Sequence, residues 1–136
     1  MLRIFVENET FEVGSASFLN SFFSTVFVRL ENGNVWGSRF PVIMNDFYQG
    51  KLSAEILNIA IAEINEIRAE FESFSPEKVV WDFEDRCVVP PWGNKISSSI
   101  TSPSKYFVTS DGKDLLEIFS KAFSKAQILN RDLFIK

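Results

Sequence analysis

The sequence predicts an α+β fold, in which a mostly antiparallel sheet packs against two helices as a single pair of layers. Two long stretches have apolar residues at helical spacing, and short β-prone runs precede, separate and follow them. The 136 residues fit one domain, residues 1–136, and suffice to bury a core. The chain has 15 phenylalanines, so we expect that core to depend on aromatic packing.

A strand and a hairpin are predicted in the first third of the chain. Residues 2–6 are a short β-prone run, whereas residues 11–23 have no clean apolar period and favour a loop. Residues 24–31 alternate in polarity, as a half-buried strand does. Asn32-Gly33 is the strongest hairpin signal, because both residues tolerate positive φ, so we expect a return strand over residues 35–42.

The two predicted helices carry continuous apolar stripes. The first spans roughly residues 54–73, with Ser53 as its expected N-cap. The second follows Asp111, its expected N-cap, and Asp114 three residues later resembles a capping box. The stripes consist of Leu57, Ala60, Ile61, Ile64, Ile67 and Phe71 in the first helix, and of Leu115, Leu116, Phe119, Ala122, Phe123 and Ala126 in the second.

Three further β-prone segments complete the predicted fold. Residues 79–84 are expected to form a strand, with Trp81 on its apolar side and in the core. Residues 106–108 are β-prone as well. Residues 133–135 are expected to add a short last strand.

Several classes of function lack the residues that they need. The chain has no histidine, which removes Ser-His-Asp and Cys-His catalysis and imidazole zinc sites. It has no glycine-rich phosphate loop. No apolar run approaches the ~20 residues of a membrane span, and the N-terminus lacks the pattern of a secretory signal. We therefore expect a cytoplasmic protein that does not bind membranes.

The single cysteine, Cys87, fits a reducing compartment without proving it. Arg86 beside it could lower the pKa of the thiol, and a nucleophilic role is the alternative to a structural one. Because no base is available and free cysteines are often buried, we expect a buried structural thiol.

Charge is distributed unevenly along the chain, whose net charge is −4. Residues 1–93 contain seven basic and fourteen acidic residues, and residues 94–136 contain seven basic and four acidic residues. An acidic majority disfavours binding to nucleic acid, whose phosphates attract basic clusters. It suits a basic protein partner, or it serves solubility alone, and the sequence leaves both open.

Three acidic residues that lie close together in the chain are the first candidate site. Asp82, Glu84 and Asp85 could hold a hard cation such as Mg²⁺, or a pair of them could serve a glycosidase. Alternatively, they form the charged rim of a protein interface whose aromatic anchor is Trp92. Trp92 could equally cover the edge of the sheet.

An acidic stripe on the first predicted helix is the second candidate. Glu63, Glu66 and Glu70 recur at i, i+3 and i+7, which places them on one flank of the helix. Such a stripe is usually a solvated face, and binding of a partner is the alternative.

Short motifs in the second half of the chain are distinctive: WDFED, then PPWG, then ITSPSKYFVTSDGKDLLE. FPVIMNDFYQGKL lies upstream of them, from Phe40 to Leu52. Together these motifs resemble the immunity protein 70 family of bacterial polymorphic toxin systems. The similarity covers most of the chain and is least distinctive in residues 1–30. The matching residues are Trp81, Asp82, Pro90, Pro91, Trp92, Gly93, Ile100, Thr101, Ser102, Tyr106 to Thr109, Asp111 and Gly112.

The resemblance implies a cytoplasmic antidote, which binds a toxin domain made by the same cell or its siblings and neutralises it by occlusion. It supplies no catalytic residue, metal site or cofactor, so a role other than an enzyme is expected. A metal-dependent enzyme that uses the Asp82 cluster and a general protein-interaction module are the alternatives. Oligomeric state is left open. The expected toxin contacts are Asp82, Glu84, Asp85 and Trp92, with Glu63, Glu66 and Glu70 as a second patch.

Overall fold

A four-stranded antiparallel sheet and the helices on one of its faces make up the part of the chain that the computed structural model describes, residues 1–90 and 96–136. The predicted α+β class is therefore confirmed. The strands lie in the order β2-β1-β4-β3, so the first and last strands of the chain are neighbours. Their bounds are β1 Leu2–Val6, β2 Glu9–Gly14, β3 Lys51–Leu52 and β4 Leu133–Ile135.

The sheet has one buried and one open face. Ile4 and Val6 of β1 are fully buried, as is Leu133 of β4, because these alternate residues face the helices. Phe5 and Phe134 point to the other side, and Phe134 is 39% exposed. The predicted strands over residues 2–6 and 133–135 are confirmed.

The helical elements are more numerous than the sequence predicts. Among residues 1–90 and 96–136, four of them are α-helices: α1 Ala16–Thr25, α2 Leu57–Phe71, α3 Pro103–Tyr106 and α4 Leu115–Leu129. The described part of the chain also contains two π-helical segments, Val26–Leu30 and Val42–Phe47, and two 3₁₀ turns, Ala54–Ile56 and Pro76–Lys78. The two predicted long helices correspond to α4 and to α2 with its preceding 3₁₀ turn.

The expected loop over residues 11–23, the strand over residues 24–31 and the return strand over residues 35–42 are wrong. Residues 9–14 form β2, and α1 continues directly into the first π-helical segment. Leu19, Phe22, Phe23, Val26 and Leu30 are buried at helical spacing, but intervening apolar residues obscure that period in the sequence. Ser15 begins α1 as its N-cap, since its hydroxyl accepts a hydrogen bond from Phe18 N at 3.1 Å.

Asn32 and Gly33 have the positive φ that the sequence predicts, 58° and 62°, but they end a helix instead of turning a hairpin. Gly33 N donates to Phe27 O at 2.8 Å, so the turn closes onto the π-helical segment. Residues with positive φ occur both at the ends of helices and in hairpin turns. The sequence alone does not show which of these two structures Asn32 and Gly33 form.

The helix caps also differ from expectation. Asp114 is the N-cap of α4, because its carboxylate accepts from Leu116 N at 3.0 Å and Glu117 N at 3.4 Å. Asp111, the expected cap, instead accepts from the Thr109 hydroxyl. Ser53 is the N-cap residue of the 3₁₀ turn that precedes α2, as predicted, but its side chain makes no capping hydrogen bond within the described residues, and Ala54 N donates to Asp132 Oδ1 at 2.9 Å. Of residues 106–108, only Val108 pairs as a strand residue, in an isolated bridge to Asp114.

Phenylalanine rings fill the centre of the core, as predicted. Phe22 of α1 lies 5.3 Å from Phe119, 5.9 Å from Phe107 and 6.3 Å from Phe71, each in an edge-to-face arrangement. All four rings have no exposed surface. Edge-to-face contacts add about 0.5–1.5 kcal/mol per pair beyond the burial of apolar area. These rings hold α1, α2 and α4 together above the sheet.

Candidate functional site

The segment of residues 79–88, which contains the first acidic cluster, packs against α1 without entering the sheet. The expected strand over residues 79–84 is therefore wrong. Val80 is 4% exposed, and its backbone pairs with side chains of α1. Val80 N donates to Thr25 Oγ1 at 2.9 Å, and Val80 O accepts from Ser21 Oγ at 2.9 Å. Phe83 N donates to Ser24 Oγ at 3.0 Å.

Three buried hydroxyls replace the neighbouring strand that this segment lacks. Ser21, Ser24 and Thr25 have no exposed surface, although they belong to a helix with an apolar face. A buried backbone N–H or C=O needs a partner, and these side chains supply it. Polar residues on the apolar side of a helix were the sequence signal for this arrangement, and it was missed.

The carboxylates of the first cluster shape turns in the same segment. Asp82 Oδ1 accepts from Glu84 N at 2.9 Å, and Asp85 Oδ1 accepts from Cys87 N at 3.0 Å. Each is an Asx turn, in which the side chain bonds to the backbone two residues on. Asp82 is half-buried, whereas Glu84 and Asp85 are exposed.

These carboxylates do not converge as a metal site would require. Within residues 1–90 and 96–136, no three side chains of Asp, Glu, Cys or His lie close enough together to hold an ion. Asp82 and Asp85 each direct one oxygen to a backbone N–H group. No arrangement in the described residues supports the alternative of a metal-dependent enzyme.

The described residues form two grooves beside this segment, and Trp81 lines both of them. The first encloses about 330 Å³ between the start of α1 and the segment itself; Ala16, Asn20 and Val88 line it. The second encloses about 140 Å³, and Pro90 and Tyr106 line it. Trp92, the expected aromatic anchor, lies outside the described residues, as do Pro91, Gly93, Asn94 and Lys95.

Cys87 is exposed, so the prediction of a buried structural thiol is wrong. It follows the Asx turn at Asp85, and the neighbouring Arg86 and Val88 are exposed too. A free cysteine is buried when its segment faces the core, and this part of the segment faces solvent.

The acidic stripe of α2 divides into two different environments. Glu63 is 8% exposed, and its carboxylate accepts from Ile43 N at 2.8 Å and Val42 N at 3.3 Å. It therefore caps the second π-helical segment and is not part of a solvated face. Burial raises the pKa of the Glu63 carboxyl above its ordinary value, although the two backbone N–H groups oppose that shift.

Glu66 and Glu70 lie at the surface and are paired with Arg39. The Arg39 guanidinium donates to both carboxylate oxygens of Glu70, and it donates to Glu66 at 3.1 Å. The hydrogen bond from Arg39 lowers the pKa of Glu70 and raises the pKa of Arg39. Because such surface pairs are screened by solvent, each contributes at most about 1 kcal/mol.

Glu31 is a buried carboxylate that no motif or spacing in the sequence indicates. It is 2% exposed and accepts hydrogen bonds from the N–H groups of Gly37, Arg39 and Phe40, at 2.9, 3.0 and 3.1 Å. Glu31 and Glu63 together hold the chain from Gly37 to Ile43. An isolated glutamate in a polar stretch gives no sequence signal for such a role.

Comparison with known proteins gives one finding. A family model described as immunity protein 70 matches residues 4–135, which is almost the whole chain. None of the curated proteins and none of the solved structures that were compared matches it. No helix in the described ranges is long and apolar enough to cross a membrane.

Proposed function

Because the chain belongs to the immunity protein 70 family, we propose that it is a cytoplasmic antidote that binds one cognate bacterial toxin domain and neutralises it by occlusion. The match over residues 4–135 is the observation that carries this proposal. The proposal assigns no catalytic step and no cofactor to the chain.

The segment of residues 79–88 is the surface that we propose for toxin contact. It presents Glu84 and Asp85 to solvent, and no ion pair within the described ranges involves either carboxylate. Their charge is therefore available to a basic partner. Asp82 orients the turn that presents Glu84, and Trp92 is a further proposed contact.

The surface acids of α2 form the second proposed patch. Glu66 and Glu70 are accessible, but a toxin must compete with Arg39 for them. Glu63 is left out of the proposed contacts, since its carboxylate is buried against Val42 and Ile43. A basic toxin cleft would be occluded both sterically and by these charges, which suits a toxin whose substrate is anionic.

Co-expression with the toxin domain encoded next to this gene tests the proposal. The toxin domain carries an affinity tag, and the untagged chain is expected to co-purify with it and to restore growth of cells that make the toxin. An unrelated toxin domain, expressed in the same way, is the control and should neither retain the chain nor be neutralised by it.

The proposal is overturned if purified chain and toxin domain form no complex at micromolar concentrations in low salt. It is also overturned if the chain binds the toxin domain but leaves the toxin fully active in the cell.

A further inference from the structure

Four aromatic side chains at the surface, Phe27, Trp36, Tyr48 and Phe83, form a continuous cluster that we call the aromatic surface. The Trp36 ring centroid lies 5.1 Å from Phe27, 5.0 Å from Tyr48 and 4.9 Å from Phe83. Phe27 and Phe83 are also in contact, at 5.6 Å. Trp36 is therefore the centre of the cluster, and Phe83 joins it to the acidic segment of residues 79–88.

The aromatic surface is open to solvent. Phe27, Trp36 and Phe83 are half-buried, Tyr48 is 45% exposed, and the neighbouring Val35 is 61% exposed. The rings are held by one another and by Phe23 of the core, which lies 4.9 Å from Tyr48. Aromatic side chains that are fixed in place but still accessible are the residues on which binding energy concentrates at protein interfaces.

The backbone around these rings is π-helical on both sides. Phe27 belongs to the segment Val26–Leu30, and Tyr48 directly follows the segment Val42–Phe47. Trp36 links the two, because its indole Nε1 donates to Met44 O at 2.5 Å. π-Helical turns are rare and lie frequently at functional sites. Their presence twice beside one surface favours a binding role for it.

Two exposed acids lie within two residues of a ring of this surface along the chain, and we call them the bordering acids. Glu84 follows Phe83 in the chain, Asp46 precedes Tyr48 by two residues, and both are exposed. Neither takes part in an ion pair within residues 1–90 and 96–136. Arg29, in the first π-helical segment, donates from its Nε to Lys78 O at 2.8 Å.

We propose that the aromatic surface and its bordering acids receive an arginine or lysine side chain of the toxin. A cation is attracted to the face of an aromatic ring within about 6 Å, most strongly to tryptophan, and carboxylates beside the rings add to that attraction. An apolar side chain of the toxin, next to that arginine or lysine, would cover Val35. This inference rests on the proposed function and specifies how the toxin is recognised.

Replacing Tyr48 tests the inference, with binding measured by calorimetry against the toxin domain encoded next to the gene. Tyr48→Ala is expected to raise the Kd about tenfold or more, as loss of an interface anchor does. Val35→Lys, at an exposed position, is expected to weaken binding in low salt because it repels the incoming cation. The matched control is Phe134→Ala, which removes a comparably exposed ring from the open face of the sheet and should change the Kd less than about threefold.

The outcomes separate this inference from the proposed function. Thermal unfolding of each variant first shows that it is folded. If the unmodified chain binds the toxin domain and both variants bind it equally well, the inference is overturned and the proposed function stands. A larger effect of Phe134→Ala than of Tyr48→Ala also overturns it, because the sheet face would then be the anchor. If the unmodified chain does not bind, the proposed function falls and the inference with it.

Discussion

Glutamate side chains have two different roles in this protein, and the surroundings of each carboxylate determine its role. Glu31 and Glu63 are buried and accept hydrogen bonds from backbone N–H groups of the chain between Gly37 and Ile43. Glu84 is exposed and has no basic partner within the described residues. A buried carboxylate holds the fold only while its donors remain, whereas an exposed one is available to a partner.

Glu63 should make the protein more stable as the pH falls, which is the opposite of the usual effect of a carboxylate. Burial raises its pKa in the folded state, so the folded protein binds this proton more tightly than the unfolded chain. Its contribution is therefore fully present below the unfolded pKa, about 4.3, and is lost as the pH rises through the higher folded pKa. We expect the unmodified chain to gain stability over Glu63→Gln as the pH is lowered from neutral toward about 4. Urea unfolding at a series of pH values measures this difference.

Two further variants control this experiment. Glu63→Ala leaves the N–H groups of Val42 and Ile43 without their acceptor and should lower the free energy of unfolding at neutral pH by about 1–3 kcal/mol. Glu55→Gln removes one negative charge from an exposed position. A difference between the unmodified chain and Glu63→Gln that does not vary with pH would contradict the argument.

Helix α1 serves as the hydrogen-bonding partner of an irregular segment, a task that sheets usually perform. Its hydroxyls at Ser21, Ser24 and Thr25 pair with the backbone at Val80 and Phe83. This arrangement leaves the far side of the segment free to present its acids and Phe83. The position of the proposed binding surface therefore depends on α1 as much as on the segment itself.

Thr25→Val should loosen the segment of residues 79–88 while the rest of the fold remains intact. Valine has the shape of threonine but leaves Val80 N without its acceptor, which costs about 1–3 kcal/mol. We expect faster hydrogen exchange of the Val80 and Phe83 amides and unchanged exchange in β1. Thr101→Val, at an exposed position, is the matched control. Equal exchange rates for Thr25→Val and the unmodified chain would show that the hydroxyl does not anchor the segment.

Two lysines and the proposed contact acid Glu84 lie on different parts of the molecule as a whole. The open face of the sheet carries lysines near aromatic rings: Lys136 Nζ lies 5.3 Å from the Phe5 ring, and Lys51 Nζ lies 5.7 Å from the Phe134 ring. Glu84 lies instead on the segment that packs against α1, and the net charge of the chain is −4. An overall negative charge steers a basic partner toward the protein, and the local acids orient it.

Reversal of one proposed contact charge should slow association with the toxin domain. Glu84→Lys is expected to reduce the association rate on the order of tenfold in low salt, with little effect once salt screens the charges. Glu9→Lys makes the same change in net charge on the β1–β2 hairpin, at the cost of a surface pair with Lys125. Stopped-flow measurement of the association rate of both variants separates the effect of the charge at position 84 from the effect of the net charge. Equal slowing by the two would place the contact elsewhere.

The sequence was most informative where one period dominates a long element. The apolar stripes of α2 and α4 recur every three or four residues, and both helices form where that period predicts them. Helix α1 and the π-helical segment that continues it were missed because aromatic residues such as Phe18 and Phe27 occupy positions outside their buried stripe. Alternation over residues 24–31 is too short to distinguish a strand from a helix whose other face is also covered.

The acidic group of the first candidate site can be singled out in the sequence, but its geometry cannot. The sequence identified Asp82, Glu84 and Asp85 as a group, and the structure places them in one segment with two consecutive Asx turns. The burial of Glu63 could not be predicted, because its donors, Val42 and Ile43, are distant in the chain. The residues of the aromatic surface also come from four separate segments, and no residue spacing in the sequence predicts that they are in contact.

By itself, the sequence determined the α+β class, the aromatic core and the family to which the chain belongs, because local periods and short motifs carry that information. Only the tertiary structure decided which acids are buried, which thiol is exposed and which rings meet at the surface. These properties depend on contacts between distant residues, such as Thr25 with Val80 and Trp36 with Phe83. The free energy of burying a polar group depends on the partner that it finds, and the partner is fixed only when the chain folds.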